Sequence, residues 1–452
     1  MKEVMSMSKN KFKKNMPALA LLSIGYLITI CVGTTLLMFP FASNEKTHFI
    51  DALLTATSAT CVTGLTSVPT AIHWTLFGQI VIIVLIQIGG LGFMTIITLF
   101  FMLLRKNIRL YNRTVLMQSA GSYNISSIPK LIKRIIIGTL IFELLGAIIL
   151  SIGWWDEFGP KAIYYGVFHS ISAYCNAGFD VLGTVSLISY NSSPIILITI
   201  MCLIVIGGSG FIVWSDLIDN KFKFSKLQIH SKIVIVFNLI LIIVPAILFF
   251  IFEFTSIGIK ANFVDMSWGD KIMNSFFMAI TPRTAGFASV DVTKITPSGR
   301  LLTSILMFIG GNPGSTAGGV KVTTFIVVLA TLLSNAKSQE HIVIFNRKLN
   351  PKIITQSISL FIAYILFILL ATMLIGAYEP FELTDILFEV FSAIGTVGLT
   401  VGVTENAKIL TKVILIILMY AGRLGALTLF NVIIKDKKNS LIEKPEGKVL
   451  VG

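Results

Sequence analysis

SATCVTGLT, residues 58–66, decides how the rest of the chain is read, because the chain says nearly the same thing three more times. SAYCNAGFD stands at 172–180, ITPRTAGFA at 280–288 and SAIGTVGLT at 392–400. Aligned on Gly64, Gly178, Gly286 and Gly398, the copies lie 114, 108 and 112 residues apart. Each is a small, hydroxyl-rich stretch ending in a glycine, set between two apolar segments long enough to span a bilayer. Irregular backbone at membrane depth is tolerated where it lines a polar path. Four such loops can surround one axis and turn their carbonyls onto a cation. Fourfold recurrence at near-equal spacing also marks an internal repeat.

Composition sets the same frame. The 452 residues are 55% apolar and only 13% charged, with a mean hydropathy of +0.87. That usage excludes an ordinary soluble domain and points to a polytopic membrane protein. The four cysteines, Cys31, Cys61, Cys175 and Cys202, have neither disulfide-framework nor zinc spacing and are expected as small packers. The apolar run 18–39 has a basic flank but no small-residue cleavage site after it, so it is expected to stay as the first helix.

The net charge of +14 is distributed unlike that of a nucleic-acid binder. Twenty-five of the 36 Lys and Arg fall in 1–16, 105–134, 221–232, 334–352 and 435–448. Between them lie the acids Glu45, Asp51, Asp156, Glu157, Asp265, Asp270, Glu379, Glu382, Asp385 and Glu389. This alternation is the positive-inside pattern with both termini cytoplasmic, and eight crossings satisfy it. The acids are expected in outer loops, where they either enrich cations at the entrance or are simply solvated.

The fold expected is an all-α polytopic membrane protein. It has four helix–pore-loop–helix repeats, eight transmembrane helices in all, arranged pseudo-fourfold around one ion pore. First helices are expected at 17–40, 132–154, 233–254 and 353–377, and second helices at 74–104, 194–217, 300–333 and 409–434. The chain then divides into a cytoplasmic N-terminus (1–16), repeat 1 (17–104), linker and repeat 2 (105–217), repeat 3 (218–334), repeat 4 (335–434) and a cytoplasmic tail (435–452). The apolar stretch before each loop is too short to cross and suits a half-depth helix whose C-terminal dipole favours a cation. The candidate ion-binding residues are Val62, Thr63 and Gly64; Asn176, Ala177 and Gly178; Thr284, Ala285 and Gly286; and Thr396, Val397 and Gly398. Glycine lets the backbone turn its carbonyls inward, and apolar Leu65, Phe179, Phe287 and Leu399 brace the loops from behind.

The second helices hold another register: IGGLGF (88–93), IGGSGF (206–211), IGGNPGSTAGG (309–319) and AGRLG (421–425). In the first two, small residues are expected only to let helices approach closely. The third, with five glycines and a proline, must interrupt its helix. Residues Gly310, Gly311, Asn312, Pro313, Gly314, Ser315, Thr316, Ala317, Gly318 and Gly319 are therefore a candidate gate, expected to face water below the four loops. The alternative, a phosphate-binding loop, would need Gly-Lys-Ser/Thr order, whereas Lys321 follows Gly319-Val320 and the surroundings are apolar. Arg423 is expected either to bind carbonyls of the broken span and restrain it, or to snorkel to the inner face. Glu143 and Lys321 are further intramembrane charges, Glu143 with a structural partner. Arg283 is expected to clamp pore-helix carbonyls.

These loops, the TPRTAGF third copy, the GGNPGSTAGGVK break and the AGRLG arginine resemble the Trk/Ktr/HKT superfamily of potassium uptake systems over nearly the whole chain. Within it they look most like bacterial Ktr membrane subunits of the KtrB or KtrD type. The resemblance implies potassium (K+) as the transported ion at the twelve loop residues, a homodimer with one pore per subunit, and a bacterial plasma-membrane location. It further implies a cytosolic RCK ring of the KtrA or KtrC type that binds ATP or ADP, with no nucleotide bound by this chain itself. The family's gate loop maps onto Gly310 to Gly319 and its gate arginine onto Arg423. Glycine rather than serine at Gly64 implies potassium preference, and the Ktr pairing implies stimulation by sodium (Na+).

Two other classes compete. An inverted-repeat secondary transporter would use a broken midplane helix but predicts antiparallel halves, whereas charge sidedness here recurs every two spans. An intramembrane enzyme finds no support: His48, His73, His169, His230 and His341 are scattered, and no Ser/His or Asp/Asp pair shares a helix face.

Overall fold

A computed structural model describes residues 18–92, 95, 128–184, 186–255, 262–339 and 341–425. The expected cytoplasmic segments 1–16 and 435–452, residues 105–127 of the linker, and the inner ends of the second helices of repeats 1 and 4 lie outside the described residues. Repeat 1 contributes α1 (Ala18–Leu37), α2 (Phe49–Cys61) and α3 (Leu76–Leu91). Repeat 2 contributes α4 (Ile128–Gly153), α5 (Lys161–Tyr174), α6 (Pro194–Gly208) and α7 (Phe211–Asp219). In repeat 3 lie α8 (Ile229–Glu253), α9 (Trp268–Ile280), α10 (Pro297–Phe308) and α11 (Val322–Ala336). A hairpin, β1 (Val343–Ile344) with β2 (Arg347–Lys348), departs from the all-α expectation. Repeat 4 follows as α12 (Pro351–Gly376), α13 (Leu383–Gly395) and α14 (Ile409–Leu424). The hairpin turn has Phe345 and Asn346 both at positive φ, the combination that joins two strands most tightly.

The first helices α1, α4, α8 and α12 are each long and apolar enough to cross a bilayer. Leu144 and Ile152 on α4, Ile247 on α8 and Leu366 and Met373 on α12 stand more than half exposed. Only lipid can cover such faces at low cost, so this is a multi-pass membrane protein. The helices before the loops, α2, α5, α9 and α13, have 13, 14, 13 and 13 residues. At 1.5 Å per residue they reach about 20 Å, short of the roughly 30 Å of a hydrocarbon core.

The second helices differ from expectation. The paired glycines do allow close approach: a Cβ on Gly89, Gly207 or Gly422 would lie 2.1, 1.9 or 2.0 Å from the carbonyl oxygen of Thr60, Tyr174 or Ile394. Each of those oxygens ends the pore helix of the same repeat. The glycine that follows does something else. Gly92, Gly210 and Gly425 adopt φ of 84, 95 and 87° with ψ near 131°, a backbone only glycine adopts readily. At Gly210 the chain bends by 87° between α6 and α7, so the expected continuous helix 194–217 is broken. The helix is therefore interrupted in repeat 2 as well as repeat 3, and α3 and α14 stop at the equivalent glycine. The packing reading of IGGLGF and IGGSGF accounted for one glycine and missed the other.

Packing between repeats is cyclic. Helix α5 packs on α3, α9 on α6, α13 on α10, and α2 on α14. Each pore helix thus leans on the second helix of the preceding repeat, and the fourth repeat meets the first. Lys412 on α14 pairs with Asp51 on α2 at 2.8 Å across that closing seam.

Buried carboxylates fix the outer ends. Glu253, at the end of α8, accepts from the backbone and hydroxyl of Thr296, the N-cap of α10, at 3.0 and 2.6 Å. Glu379, just past α12, does the same for α14 through Lys408 N (2.7 Å) and Thr411 Oγ1 (2.9 Å). Glu389, inside α13, accepts from Thr400 Oγ1 (2.8 Å), Thr404 N (3.0 Å) and the Thr404 hydroxyl. Glu379 and Glu389 were expected among the outer-loop acids. They are buried instead, where they accept from the free amides of helix starts.

Replacing Glu389 by Ala leaves Thr404 N without that acceptor, a loss of about 1–3 kcal/mol. The detergent-solubilised variant should melt several degrees below the parent, with Glu389→Gln intermediate, as followed by thermal unfolding.

Candidate ion-conducting site

The four loops share one backbone shape. Val62, Asn176, Thr284 and Thr396 have φ of 58, 60, 70 and 51°, and Gly64, Gly178, Gly286 and Gly398 have φ of 94, 69, 78 and 97°. The residues between them, Thr63, Ala177, Ala285 and Val397, keep negative φ. Left-handed backbone is disfavoured by about 1–2 kcal/mol in a residue with a Cβ, and more strongly in β-branched Val62, Thr284 and Thr396. Such strain persists only where the surroundings impose it. Alternating handedness turns successive carbonyls to one side of the chain, the arrangement that dehydrating an ion requires.

A hydroxyl from the last turn of each pore helix, or just past it, holds the loop. Gly64 N donates to Ser58 Oγ (3.0 Å) and Gly398 N to Ser392 Oγ (3.1 Å). Ser172 Oγ donates to Phe179 O (2.7 Å), and Thr281 Oγ1 to Phe287 O (2.5 Å). The first three hydroxyls stand six residues before the glycine, the fourth five. Leu65, Phe179, Phe287 and Leu399 are buried, as expected for braces.

The glycines close a ring. A Cβ on Gly64 would lie 2.5 Å from Ala177 O, one on Gly178 2.6 Å from Ala285 O, and one on Gly286 2.3 Å from Val397 O. One on Gly398 would lie 2.2 Å from Thr63 O. Each glycine therefore abuts the carbonyl that precedes the glycine of the next repeat, and the fourth returns to the first. All twelve candidate loop residues are brought together here.

Above the ring lies a cavity of about 420 Å³ floored by the four glycines. Its acids are Asp180, Asp291 and Glu405, none of which the outer-loop reading singled out. The acids it did name are elsewhere: besides the buried Glu379 and Glu389, Asp51 pairs with Lys412 and Asp385 with Arg300. Asp180 was legible, since only the second copy, AGFD, ends in a carboxylate. Burial pushes the Asp180 carboxyl up to about 6, against the backbone amides of Leu182 and Gly183 and the Ser186 hydroxyl, which favour its anion.

Below the ring, residues 309–321 separate α10 from α11. Phe211 N donates to Gly314 O (2.8 Å), Asn312 Nδ2 to Gly208 O (2.9 Å) and Thr316 Oγ1 to Tyr174 O (3.2 Å). Lys321 Nζ donates to Ala317 O at 2.7 Å. Arg423 donates to Thr316 O and to Gly89 O, so it joins this loop to the first repeat. The expected wet loop is only partly so: Pro313, Gly314 and Ser315 are half-buried, whereas Asn312 and Thr316 are fully buried on repeat 2. Arg283 departs from expectation too. Its guanidinium reaches Asn238 on α8 instead of a pore-helix carbonyl. Glu143 accepts from Gln87 Nε2 at 3.2 Å, a partner from the neighbouring repeat.

Comparison with known proteins places this architecture. Residues 25–441 match the model of the TrkH cation transport protein family. The chain belongs to that family. It is 38% identical to the potassium/sodium uptake protein NtpJ of Enterococcus hirae, over 99% of this chain and 100% of that one. It is 37% identical to Ktr system potassium uptake protein B of Bacillus subtilis, over 95% and 96%. Ktr system potassium uptake protein D of the same organism is 32% identical over 98% and 99%. The potassium transporter TrkH of Vibrio parahaemolyticus shares the fold, with a TM-score of 0.73 over 94% of this chain and 86% of that one, at 18% identity.

Protonation of Asp180 removes one negative charge from the cavity above the ring as pH falls through about 6. One unit charge acting across about 6 Å of water is worth roughly 0.7 kcal/mol, or about threefold. The external cation concentration giving half-maximal uptake should therefore rise about threefold between pH 7 and pH 5. Asp180→Asn should show the raised value at both pH values.

Proposed function

We propose that this chain takes up potassium across a bacterial plasma membrane, through a selectivity filter formed by Val62 to Gly64, Asn176 to Gly178, Thr284 to Gly286 and Thr396 to Gly398. The cyclic contact of each filter glycine with the next repeat's carbonyl carries this reading. Main-chain oxygens replace part of the ion's hydration shell, and the four pore-helix C-termini add negative potential. The same rotational packing speaks against an inverted-repeat transporter, whose halves would be related by an axis in the membrane plane.

Gly310 to Gly319 act as the gate, and Arg423 restrains it by holding Thr316 while adding a positive charge below the filter. The chain works as a homodimer with one pore per subunit and both termini cytoplasmic. A cytosolic RCK ring that binds ATP or ADP sets the flux. Sodium acts as a stimulator, and this chain holds no nucleotide. The naming of two similar proteins as Ktr system potassium uptake proteins supports the ion. The naming of another as a potassium/sodium uptake protein keeps sodium permeation in play, and Gly64 is where to test it.

Expression in an uptake-deficient bacterium should restore growth on limiting potassium, more strongly with a co-expressed RCK partner. A Cβ at Gly64 meets Ala177 O, so Gly64→Ser should narrow the preference for potassium over sodium by about tenfold or more, as read from sodium competition with rubidium uptake. Unchanged competition would refute the filter assignment.

Deleting 313–315, or Arg423→Ala, should raise flux severalfold at unchanged membrane abundance. A folded, inserted but inactive deletion variant would make the loop a structural plug-holder, not a gate.

A further inference from the structure

We propose that Asn238 is a positioning residue that couples the gate loop to the third filter loop, an inference that rests on the function proposed above. Asn238 lies on α8, is buried, and belongs to neither the filter nor the gate. Its side-chain oxygen accepts from both: from the Arg283 guanidinium, immediately before Thr284, and from Asn312 Nδ2 of the gate loop at 3.3 Å. One acceptor oxygen with two lone pairs is thus shared between the two moving parts.

The surroundings make that sharing consequential. Arg283 is buried and has no carboxylate partner among the described residues, and its Nε has no hydrogen-bond partner there. A buried guanidinium with so few acceptors depends heavily on each one. The backbone carbonyl of Arg283 in turn receives Asn176 Nδ2 at 3.5 Å, which also reaches Thr284 Oγ1 at 3.5 Å. A displacement of Arg283 is therefore felt in the second loop as well as the third. Asn176, Gly208, Asn238, Arg283 and Gly311 line one cavity of about 10 Å³, which leaves these groups slight freedom to shift. When Asn312 leaves with the opening loop, Asn238 Oδ1 is released to Arg283 alone. The arginine then re-seats, and Thr284 to Gly286 follow.

The test uses the full-length protein in the uptake-deficient strain, with the potassium-over-sodium preference as readout. Asn238→Leu keeps the volume but removes the acceptor. It should shift that preference about fivefold or more, at the low end of ordinary coupling between sites, while deletion of 313–315 adds no further shift to it. Asn238→Asp pairs a charge with Arg283 and should hold it whether or not Asn312 leaves, so that deletion of 313–315 no longer moves the preference, which a merely structural role would not predict. Should Asn238→Leu not reach the membrane, Asn312→Ala leaves Asn238 Oδ1 to Arg283 alone and should shift the preference as deletion of 313–315 does, with no further shift when the two are combined. An unaltered preference in the inserted variant, or shifts of Asn238→Leu and the deletion that multiply independently, would overturn the coupling. Gly64→Ser keeps the two readings apart: a shift there without one at Asn238 rejects the coupling alone, and no shift at Gly64 rejects the filter.

Discussion

Backbone meets backbone at four glycines, and the rest of the architecture follows from that contact. With Ala177 O, Ala285 O, Val397 O and Thr63 O lying 2.2–2.6 Å from where the Cβ atoms would stand, no side chain can intervene at these positions. The ring is consequently narrow and made of main chain. Its oxygens are held in place by the pore helices behind, through Ser58, Ser172, Thr281 and Ser392. The left-handed Val62, Thr284 and Thr396 are the conformational cost of that arrangement. It is sustained because each loop is wedged between its own pore helix and the next repeat. Closure, in other words, is what makes an otherwise unfavourable loop the stable one.

A second repeated device, present in repeats 1, 2 and 4, lies one helix further on. Gly89, Gly207 and Gly422 press against the ends of the pore helices, and Gly92, Gly210 and Gly425 then turn the chain. Pressing and turning are separate requirements met by neighbouring glycines. The third repeat is interrupted by residues 309–321, whose buried amides and carbonyls must find partners away from water. They find them on repeat 2 and on Arg423. A helix break is thus seen in repeats 2 and 3, and α3 and α14 end at the matching glycine.

What could be read from residues alone tracks the range of the interactions involved. Repetition of SATCVTGLT carried the loops, the pore helices and the ring, because a fourfold pattern is written in sequence even when contacts are distant. The break at Gly310–Gly319 was legible because five glycines and a proline leave no helical alternative. The bend at Gly210 was not, since a single glycine in an apolar helix serves packing as readily as turning. The acids were misread for a different reason. Glu389 and Glu382 look alike in a string of letters, and only the fold buries one to cap Thr404. Arg283 and Asn238 are 45 residues apart, and no local spacing announces their bond.

Two kinds of buried charge follow from these placements. Glu253, Glu379 and Glu389 sit where helix amides converge, so each anion is solvated by the protein and locks an end in place. Arg283 and Arg423 are solvated by neutral oxygens: Asn238 Oδ1 for one, Thr316 O and Gly89 O for the other. Neutral acceptors hold a cation less firmly than a carboxylate does. These three carboxylates therefore cap helix ends, whereas the two arginines rest on neutral oxygens between the four loops and the interrupted third span.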